Sequence, residues 1–369
     1  MENIFSSQKV NCGRQSELDI AKGLAIAFMV LVHTFELFSG DPFPQTASSH
    51  IIEFLGSPPA APVFMLLLGV GIVYSKRTSA AFLFKRGIII LIMAYALGLF
   101  RDVIPSFISS VINEDSEIFK DGVLELLGVD ILQFAGLTFL FFALVIKLKL
   151  KIWQIFSCAI VFSAIGAILG ETSTGIFGLD VLAGLFWGSW DRSWFPFFSW
   201  IFFPVSGYIF GTVLMHCNNK TDMYKRILII SAVLLIPLTV LSYNYGIKFG
   251  AFGDLWQQQY YHQDLFGNIV LTVFSLFWIS LLYFLTLPFK NRGFNTLSRW
   301  SKNVNQIYIA HWIILGILVY IFMEGPLSIR TIVGMSAVIL IASDLIAYLY
   351  LKLKPNYFVN KQNAQTFKA

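Results

Sequence analysis

Long apolar stretches separated by short polar segments set the pattern of hydrophobic positions along the chain. Each stretch is long enough, at about 1.5 Å per residue, to cross roughly 30 Å of hydrocarbon as a helix. They lie near residues 20–39, 59–75, 86–101, 122–146, 152–170, 195–215, 225–245, 266–288, 306–323 and 329–351. The pattern predicts an all-α polytopic membrane bundle with about ten transmembrane helices.

The fourth stretch differs from the others because acidic residues occur in its first half, DGVLELLGVDILQF. Charged groups are costly in contact with lipid, and at membrane depth they line cavities or lie buried in protein. We therefore expect this stretch to begin as a re-entrant or cavity-lining segment.

The composition supports a membrane protein, since the chain is 57% apolar and only 13% charged, with a mean hydropathy of +0.72. Soluble domains are usually about 25% charged. The net charge of +5 does not indicate a nucleic-acid partner. Three scattered cysteines, Cys12, Cys158 and Cys217, lack the paired spacing of a disulfide framework or a metal site.

The basic residues predict the orientation of the chain. With the N-terminus in the cytosol, 21 of the 26 Lys and Arg residues fall on the inner side and 5 on the outer side. This asymmetry follows the positive-inside rule and predicts that both ends are cytosolic. We expect a cytosolic lead over residues 1–18, one transmembrane domain over 19–352 and a cytosolic tail over 353–369.

The first apolar stretch is expected to be retained as a transmembrane helix, because no small-residue cleavage site follows it. We expect an integral multi-pass protein of a bacterial cytoplasmic membrane, in contact with membrane lipid. The sequence leaves open whether it forms a homodimer.

The predicted outer loops are long and rich in aromatic residues, Asp, Asn and Gln, whereas the inner loops are short and basic. An interfacial belt of Trp and Tyr explains part of this composition. The segments WDRSWFPFFSW and WQQQYYHQD also combine aromatic planes with hydrogen-bonding groups. Sugar rings stack on such planes, so these segments favour a polar substrate on the outer side.

One face of the first predicted helix carries ionisable groups. Lys22 and His33 are eleven residues apart, which is roughly 20° beyond three full turns and about 16.5 Å along the axis. Asp19 precedes Lys22 by three residues and Glu36 follows His33 by three, so both join this stripe. Ionisable groups within a span normally face the bundle interior or a water-filled cavity.

His33 suggests chemistry, because histidine is the usual general base near neutral pH. Either Glu36 or Asp19 would orient its imidazole. Lys22 suits an anionic group on a cytosolic cofactor, and the pantetheine arm of coenzyme A has a reach comparable to the spacing of the pair. The alternatives are a lysine that snorkels to the inner interface and a structural histidine hydrogen-bonded between helices.

Several segments resemble membrane-bound acyltransferases. AKGLAIAFMVLVH resembles the R-x10-H signature of the acyltransferase-3 type, with Lys22 in the arginine position and His33 in the histidine position. RQSELDIAKG and APVFMLLLGVGIVYSKR are similar to the first-helix entry and second-helix motif shared with heparan-α-glucosaminide N-acetyltransferases. SKNVNQIYIAHW resembles the late S-x-x-x-Y-x-x-H segment, with Tyr308 and His311. DGVLELLGVDILQF is similar to the G-V-L-x-R-I-G segment of the glucosaminide family.

The resemblance implies transfer of an acetyl group from cytosolic acetyl-CoA to an amino or hydroxyl group of a sugar or glycan outside, with a glucosamine-type acceptor favoured. The residues expected in the site are His33, Glu36 and Asp19 for catalysis, Lys22, His311 and Asn305 for the cofactor, and Tyr261, His262 and Asp264 for the acceptor. N- and O-acetylation, and direct transfer or an acyl-histidine intermediate, stay open.

Other chemistries find less support in the sequence. It contains no H-E-x-x-H or other metal-ligand spacing and no G-x-S-x-G, so neither a metal nor a serine nucleophile is expected. The alternative function is a proton-coupled exporter of a glycan or lipid-linked sugar, with Asp19, His33 and Glu36 as a proton relay. No inverted repeat of the kind common in transporters is visible.

Overall fold

The computed structural model describes residues 4–40, 44–170, 172–244, 258–289, 294–321 and 325–353. Within these ranges the regular structure is helical. The helices are α1 (Ser16–Phe38), α2 (Ala47–Gly56), α3 (Ala61–Val73), α4 (Ala80–Gly98), α5 (Ile104–Asn113), α6 (Ser116–Leu126), α7 (Ile131–Lys147), α8 (Ile152–Leu169), α9 (Phe177–Trp187), α10 (Phe197–Trp200), α11 (Phe202–Met215), α12 (Lys220–Asn244), α13 (Gln258–Tyr261), α14 (Leu265–Thr286), α15 (Asn295–Lys302), α16 (Val304–Ile321) and α17 (Ile329–Leu353).

The predicted all-α polytopic bundle is confirmed. In the described part of the chain, nine segments are both long enough and apolar enough to cross a membrane. The remaining predicted span corresponds to α7, which has 17 residues and is about 25.5 Å long at 1.5 Å per residue. Helix α7 is thus a shorter apolar helix at the position of the tenth predicted span.

Residues 122–146 do not form one continuous helix, and the expectation that this stretch begins as a cavity-lining segment is confirmed. The helix α6 ends at Leu126, and a new helix, α7, begins after Asp130. A capping box makes this break, because the Asp130 carboxylate accepts from the Ile131 N–H at 2.6 Å and the Gln133 amide oxygen accepts from the Asp130 N–H at 3.2 Å. The acidic first half lines a cavity instead, as described below.

The predicted outer loops contain more helix than their composition suggested. A five-residue π-helix over Leu99–Val103 joins α4 to α5, so helical structure runs from Ala80 to Asn113. The loop predicted after residue 177 also contains α9.

Helices α3 and α11 pack with their backbones in contact. A Cβ atom on Gly69 would lie 1.9 Å from the Pro204 carbonyl oxygen, and one on Gly207 would lie 1.8 Å from the Leu66 carbonyl oxygen. Small residues allow this close approach, which supplies the van der Waals contact that holds membrane helices together. This pair fixes one wall of the bundle beside α1.

Helix α1 lies in the interior of the bundle and packs against α2, α3 and α14 to α17. The segment before it is tied to the end of α11, since Ser6 N donates to the His216 carbonyl and Val10 N to the Met215 carbonyl, both at 2.8 Å. The cytosolic tail predicted over residues 353–369 lies outside the described residues except for Leu353, which ends α17.

Candidate active site

His33 lies on α1 and is paired with His311 on α16. The His33 Nδ1 and His311 Nε2 atoms are 3.2 Å apart, and His311 Nδ1 lies 3.2 Å from the Ile307 carbonyl oxygen. A carbonyl oxygen only accepts, so His311 Nδ1 carries the proton and its Nε2 is an acceptor. His33 Nδ1–H therefore donates to His311, which leaves His33 Nε2 with a free lone pair.

Trp312 holds the imidazole of His33 from a second direction. The two rings stack with centroids 4.3 Å apart and planes inclined by 29°. The guanidinium of Arg101 lies 4.6 Å from the centre of the Trp312 ring. His311 is fully buried, so the orientation of His33 is set by side chains that are themselves fixed by packing.

A network of charged groups lies beside this histidine pair. Arg101 Nε donates to the Asp102 carboxylate at 2.9 and 3.0 Å, and Arg101 Nη1 donates to Asp130 Oδ2 at 2.9 Å. Tyr308 donates its hydroxyl to the same oxygen of Asp130 at 2.9 Å. The carboxylate of Asp130 is thus held by donors from two other helical segments.

The π-helix explains how Arg101 reaches this network. π-helical turns are rare and are often found at functional sites. This turn packs directly on α16, where a Cβ atom at Gly316 would lie 2.3 Å from the Arg101 carbonyl oxygen. The glycine allows the two backbones to approach, and the approach places Arg101 over Trp312.

Three neighbouring cavities share lining residues, and His33 lines two of them, the central chamber and the outer cavity. The central chamber is the smallest of the three. The central chamber and the inner cavity share Phe64, Ile131 and Tyr308 as lining residues. The central chamber and the outer cavity share His33, Glu36, Asp130, Phe195 and Tyr261. The three neighbouring cavities, called the transfer path below, lie in a row from the predicted cytosolic side to the predicted outer side.

The two ends of this path carry opposite charge. The described residues that line the inner cavity include Lys22, Arg86 and Lys302 and no carboxylate. The residues that line the outer cavity include five carboxylates, those of Glu36, Asp102, Asp121, Glu125 and Asp130, and one guanidinium, that of Arg101. An anionic ligand is therefore favoured at the inner end and disfavoured at the outer end.

Tyr261 lies at the junction of the central chamber and the outer cavity. Its backbone carbonyl accepts from Trp200 Nε1 at 2.6 Å, and its ring packs edge-on against Trp194 and Phe195. In the described part of the chain its hydroxyl makes no hydrogen bond. Burial, with a smaller contribution from Glu36, raises the pKa of Tyr261 well above its ordinary value. The phenol is therefore protonated and has a hydrogen bond to donate to a ligand.

Five of the nine predicted site residues line the central chamber or the inner cavity. His33, Glu36 and Tyr261 line the central chamber, and Lys22 and Asn305 line the inner cavity. His311 contacts His33 directly and lies in the middle of the path rather than at its inner end.

The structure gives the imidazole a different partner from the one expected. Within the described residues neither Glu36 nor Asp19 hydrogen-bonds to His33, and His311 holds its Nδ1 atom. Asp19 instead accepts from Arg14 Nη2 at 2.8 Å and from the Ser301 hydroxyl at 2.8 Å. These contacts tie the start of α1 to the preceding segment and to α15.

His262 and Asp264 make structural contacts. His262 Nε2 donates to the Ser193 carbonyl oxygen at 2.7 Å, which joins the 258–264 segment to the loop before α10. The Asp264 carboxylate caps α14 by accepting from the Gly267 N–H at 2.7 Å. Of the three residues predicted to bind the acceptor, Tyr261 is the one that faces the cavities.

Sequence reasoning missed Arg101, Asp130, Trp312 and Arg86 as site residues. Arg101 carried a signal, since it is one of few cations predicted on the outer side and ends an apolar stretch. Asp130 carried another, since Asp130-x-x-Gln133 fits a capping box inside a stretch predicted to be continuous. Trp312 and Arg86 gave no signal that separates them from interfacial residues.

Comparison with known proteins identifies one family. The profile of the acyltransferase-3 family, described as an acyltransferase domain, matches residues 15–348. No curated protein and no solved structure matches the chain. The match covers the helices that carry His33, Arg101, Asp130 and His311 in one continuous alignment. The chain therefore belongs to the acyltransferase-3 family and is a multi-pass membrane acyltransferase.

Proposed function

We propose that this acyltransferase moves an acetyl group from cytosolic acetyl-CoA to an amino or hydroxyl group of a sugar or glycan on the outer side. The observation that carries the proposal is the path of three neighbouring cavities with His33 in the middle. One end of the path is cationic and the other is acidic and aromatic.

The inner cavity suits the phosphate groups of coenzyme A. Lys22, Arg86 and Lys302 supply positive charge there, and Asn305 supplies a neutral hydrogen-bonding group. Apolar residues such as Phe64 and Ile131 line the passage toward the central chamber. Lys22 and His33 are eleven positions apart, which corresponds to about 16.5 Å of helix and is a suitable span for the pantetheine arm.

In the proposed reaction, His33 Nε2 takes a proton from the acceptor group as that group attacks the thioester carbonyl carbon. A C–N or C–O bond forms, the C–S bond breaks, and the departing thiolate receives the proton from His33. This cycle returns the imidazole to its neutral form. General-base assistance of this kind contributes about 10²- to 10⁴-fold.

The neighbours of His33 have distinct supporting roles. His311 is a positioning residue, because its Nε2 accepts from His33 Nδ1 and fixes the reactive tautomer. Asp130 is the carboxylate that acts most strongly on His33, so it stabilises the imidazolium that forms during transfer. Arg101 and Tyr308 hold Asp130 in place.

The outer cavity suits a sugar. Its wall contains Trp194, Phe195, Tyr261, Trp312 and Tyr320, which offer planes for sugar rings. Carboxylates between these rings accept from hydroxyl or amino groups. A glucosamine-type acceptor satisfies both features. Family membership favours the acyltransferase over the glycan exporter.

The test is acetyl transfer by purified protein supplied with labelled acetyl-CoA and glucosamine. We expect release of free CoA thiol together with labelled N-acetylglucosamine, and we expect His33→Ala to reduce both by at least 100-fold. His216→Ala is the matched control, because His216 lies at the end of α11 and hydrogen-bonds the Thr212 carbonyl. Full activity in a folded His33→Ala variant would overturn the mechanism.

A further inference from the structure

Glu36 is the unpaired carboxylate of the transfer path. Among the described residues that line the outer cavity, Asp102 and Asp130 are paired with Arg101, and Asp121 and Glu125 are paired with Arg192 at 2.5 Å each. Glu36 has no hydrogen bond and no ion pair within the described residues. It lies three residues after His33 on the same face of α1 and lines both the central chamber and the outer cavity.

The surroundings of Glu36 are negative. Asp130 lines both of the cavities that Glu36 lines, and it is also an acid. Five acidic side chains and the guanidinium of Arg101 line the outer cavity, and Arg192 pairs with two of those acids from outside the lining, so acidic groups outnumber basic groups by three. An uncompensated carboxylate in a partly buried, acidic site is costly. A cation brought by a ligand would offset that cost.

We propose that Glu36 determines the charge of the acceptor: it binds the protonated amine of an amino sugar, and the acidic outer cavity rejects sugars that carry carboxylate, sulfate or phosphate groups. This inference rests on the proposed acyl transfer and ranks its acceptors, with amino sugars preferred to neutral sugars and neutral sugars preferred to acidic ones. Electrostatic complementarity of this kind acts mainly on specificity, by favouring one partner and penalising the oppositely charged one.

The step balances for an amine acceptor. The bound ammonium loses two protons, one to water in the outer cavity and one to His33, which passes it to the departing thiolate. The C–N bond forms as the C–S bond breaks. The products are the N-acetyl sugar, free CoA thiol and one released proton.

The experiment compares three monosaccharides of similar size: glucosamine, glucose and glucuronic acid. For the wild-type protein with acetyl-CoA we expect kcat/KM to fall in that order. In Glu36→Gln, KM for glucosamine should rise about 10-fold or more, the loss expected for one charge-assisted hydrogen bond. The kcat for glucosamine and the KM for glucose should change much less, because Gln keeps the shape and the hydrogen-bonding oxygen.

The matched control is Glu117→Gln, which makes the same charge change on α6. Glu117 is solvent-exposed, pairs with Lys120 at 3.0 Å and does not line the outer cavity. We expect it to leave all three KM values unchanged. A Glu36→Gln variant that loses kcat equally for all three sugars, or a wild-type protein that uses glucuronic acid as well as glucose, would overturn the proposal.

Failure of the proposed function would look different. If none of the three sugars is acetylated, acyl transfer to sugars is contradicted, and calorimetric binding of the same sugars then decides the charge inference. The charge inference is supported if the wild-type protein binds glucosamine more tightly than glucuronic acid and Glu36→Gln abolishes this difference in affinity. Equal binding of the two, or no effect of the substitution, overturns it.

Discussion

The hydrogen bond between His33 and His311 gives a sharp prediction for His311→Leu. Leucine preserves the apolar volume beside Trp312 and Tyr308 but removes the acceptor that lies 3.2 Å from His33 Nδ1. His33 is then free to move its proton to Nε2, where it blocks the lone pair that acts as base. The fold of α16 does not depend on this side chain, because leucine is a good helix former.

The size of the effect follows from the lost contact. A buried donor left without its partner costs about 1–3 kcal/mol, and each 1.36 kcal/mol corresponds to about tenfold in rate. We therefore expect kcat to fall about 5- to 150-fold, which is less than the loss expected for His33→Ala. The KM for acetyl-CoA should stay the same, because the inner cavity is untouched.

The assay is steady-state release of CoA thiol with acetyl-CoA and glucosamine, supported by thermal unfolding in detergent. His311→Gln is the rescue variant, since its amide oxygen reaches about the position of the imidazole Nε2 and accepts from His33. We expect Gln to recover most of the lost kcat at the same melting temperature. Equal loss in the Leu and Gln variants, or no loss in either, would refute the positioning role of His311.

Three further predictions concern the network, the inner cavity and the bundle. Asp130→Asn keeps the helix cap but removes a charge that Arg101 and Tyr308 both contact. We therefore expect a lower melting temperature and a kcat that is about 10- to 100-fold lower. An unchanged melting temperature together with an unchanged kcat would contradict the role of the network. Lys22→Gln and Arg86→Gln should each raise the KM for acetyl-CoA about 3- to 10-fold at low salt, but should not raise the KM for acetyl-pantetheine, which lacks the nucleotide phosphates. The control is Lys120→Gln on the outer side. An equal rise in KM for both donors would argue against phosphate binding. Gly207→Val should prevent stable folding, because its Cβ atom would lie 1.8 Å from the Leu66 carbonyl oxygen. Gly71→Ala has nothing within 4 Å of the new Cβ atom and should melt at or slightly above the wild-type temperature. Similar melting temperatures of the two variants would contradict the close contact between α3 and α11.

The sequence was sufficient for the fold class because membrane burial imposes a strong, local signal. Each crossing needs about 20 apolar residues, and the stretches around His33 and His311 meet this requirement without any knowledge of their neighbours. Element boundaries were harder. The apolar character of residues 122–146 concealed the break before Asp130, because a capping box of two polar side chains ends a helix without any long polar loop.

The spatial relation between two site residues was predictable only where both lie on one helix. Lys22, His33 and Glu36 were related by helical periodicity, which is a property of the sequence. The partner of His33 was not, because His311 is 278 positions away and its approach depends on how α16 packs against α1. Arg101 and Asp130 were not predicted either, because their roles also depend on tertiary structure. A π-helical turn positions Arg101, and the ion pair that it forms with Asp130 joins two separate segments.

The central claim is that an acetyl group passes through the protein at His33, from a donor on the cytosolic side to an acceptor on the outer side. Proteoliposomes of known orientation test it directly, with labelled acetyl-CoA and glucosamine placed on the same or on opposite faces. The account predicts labelled product on the outer face when acetyl-CoA is supplied to the cytosolic face, and none in His33→Ala. Product that forms only when donor and acceptor share one face, or at the wild-type rate in folded His33→Ala, would contradict it.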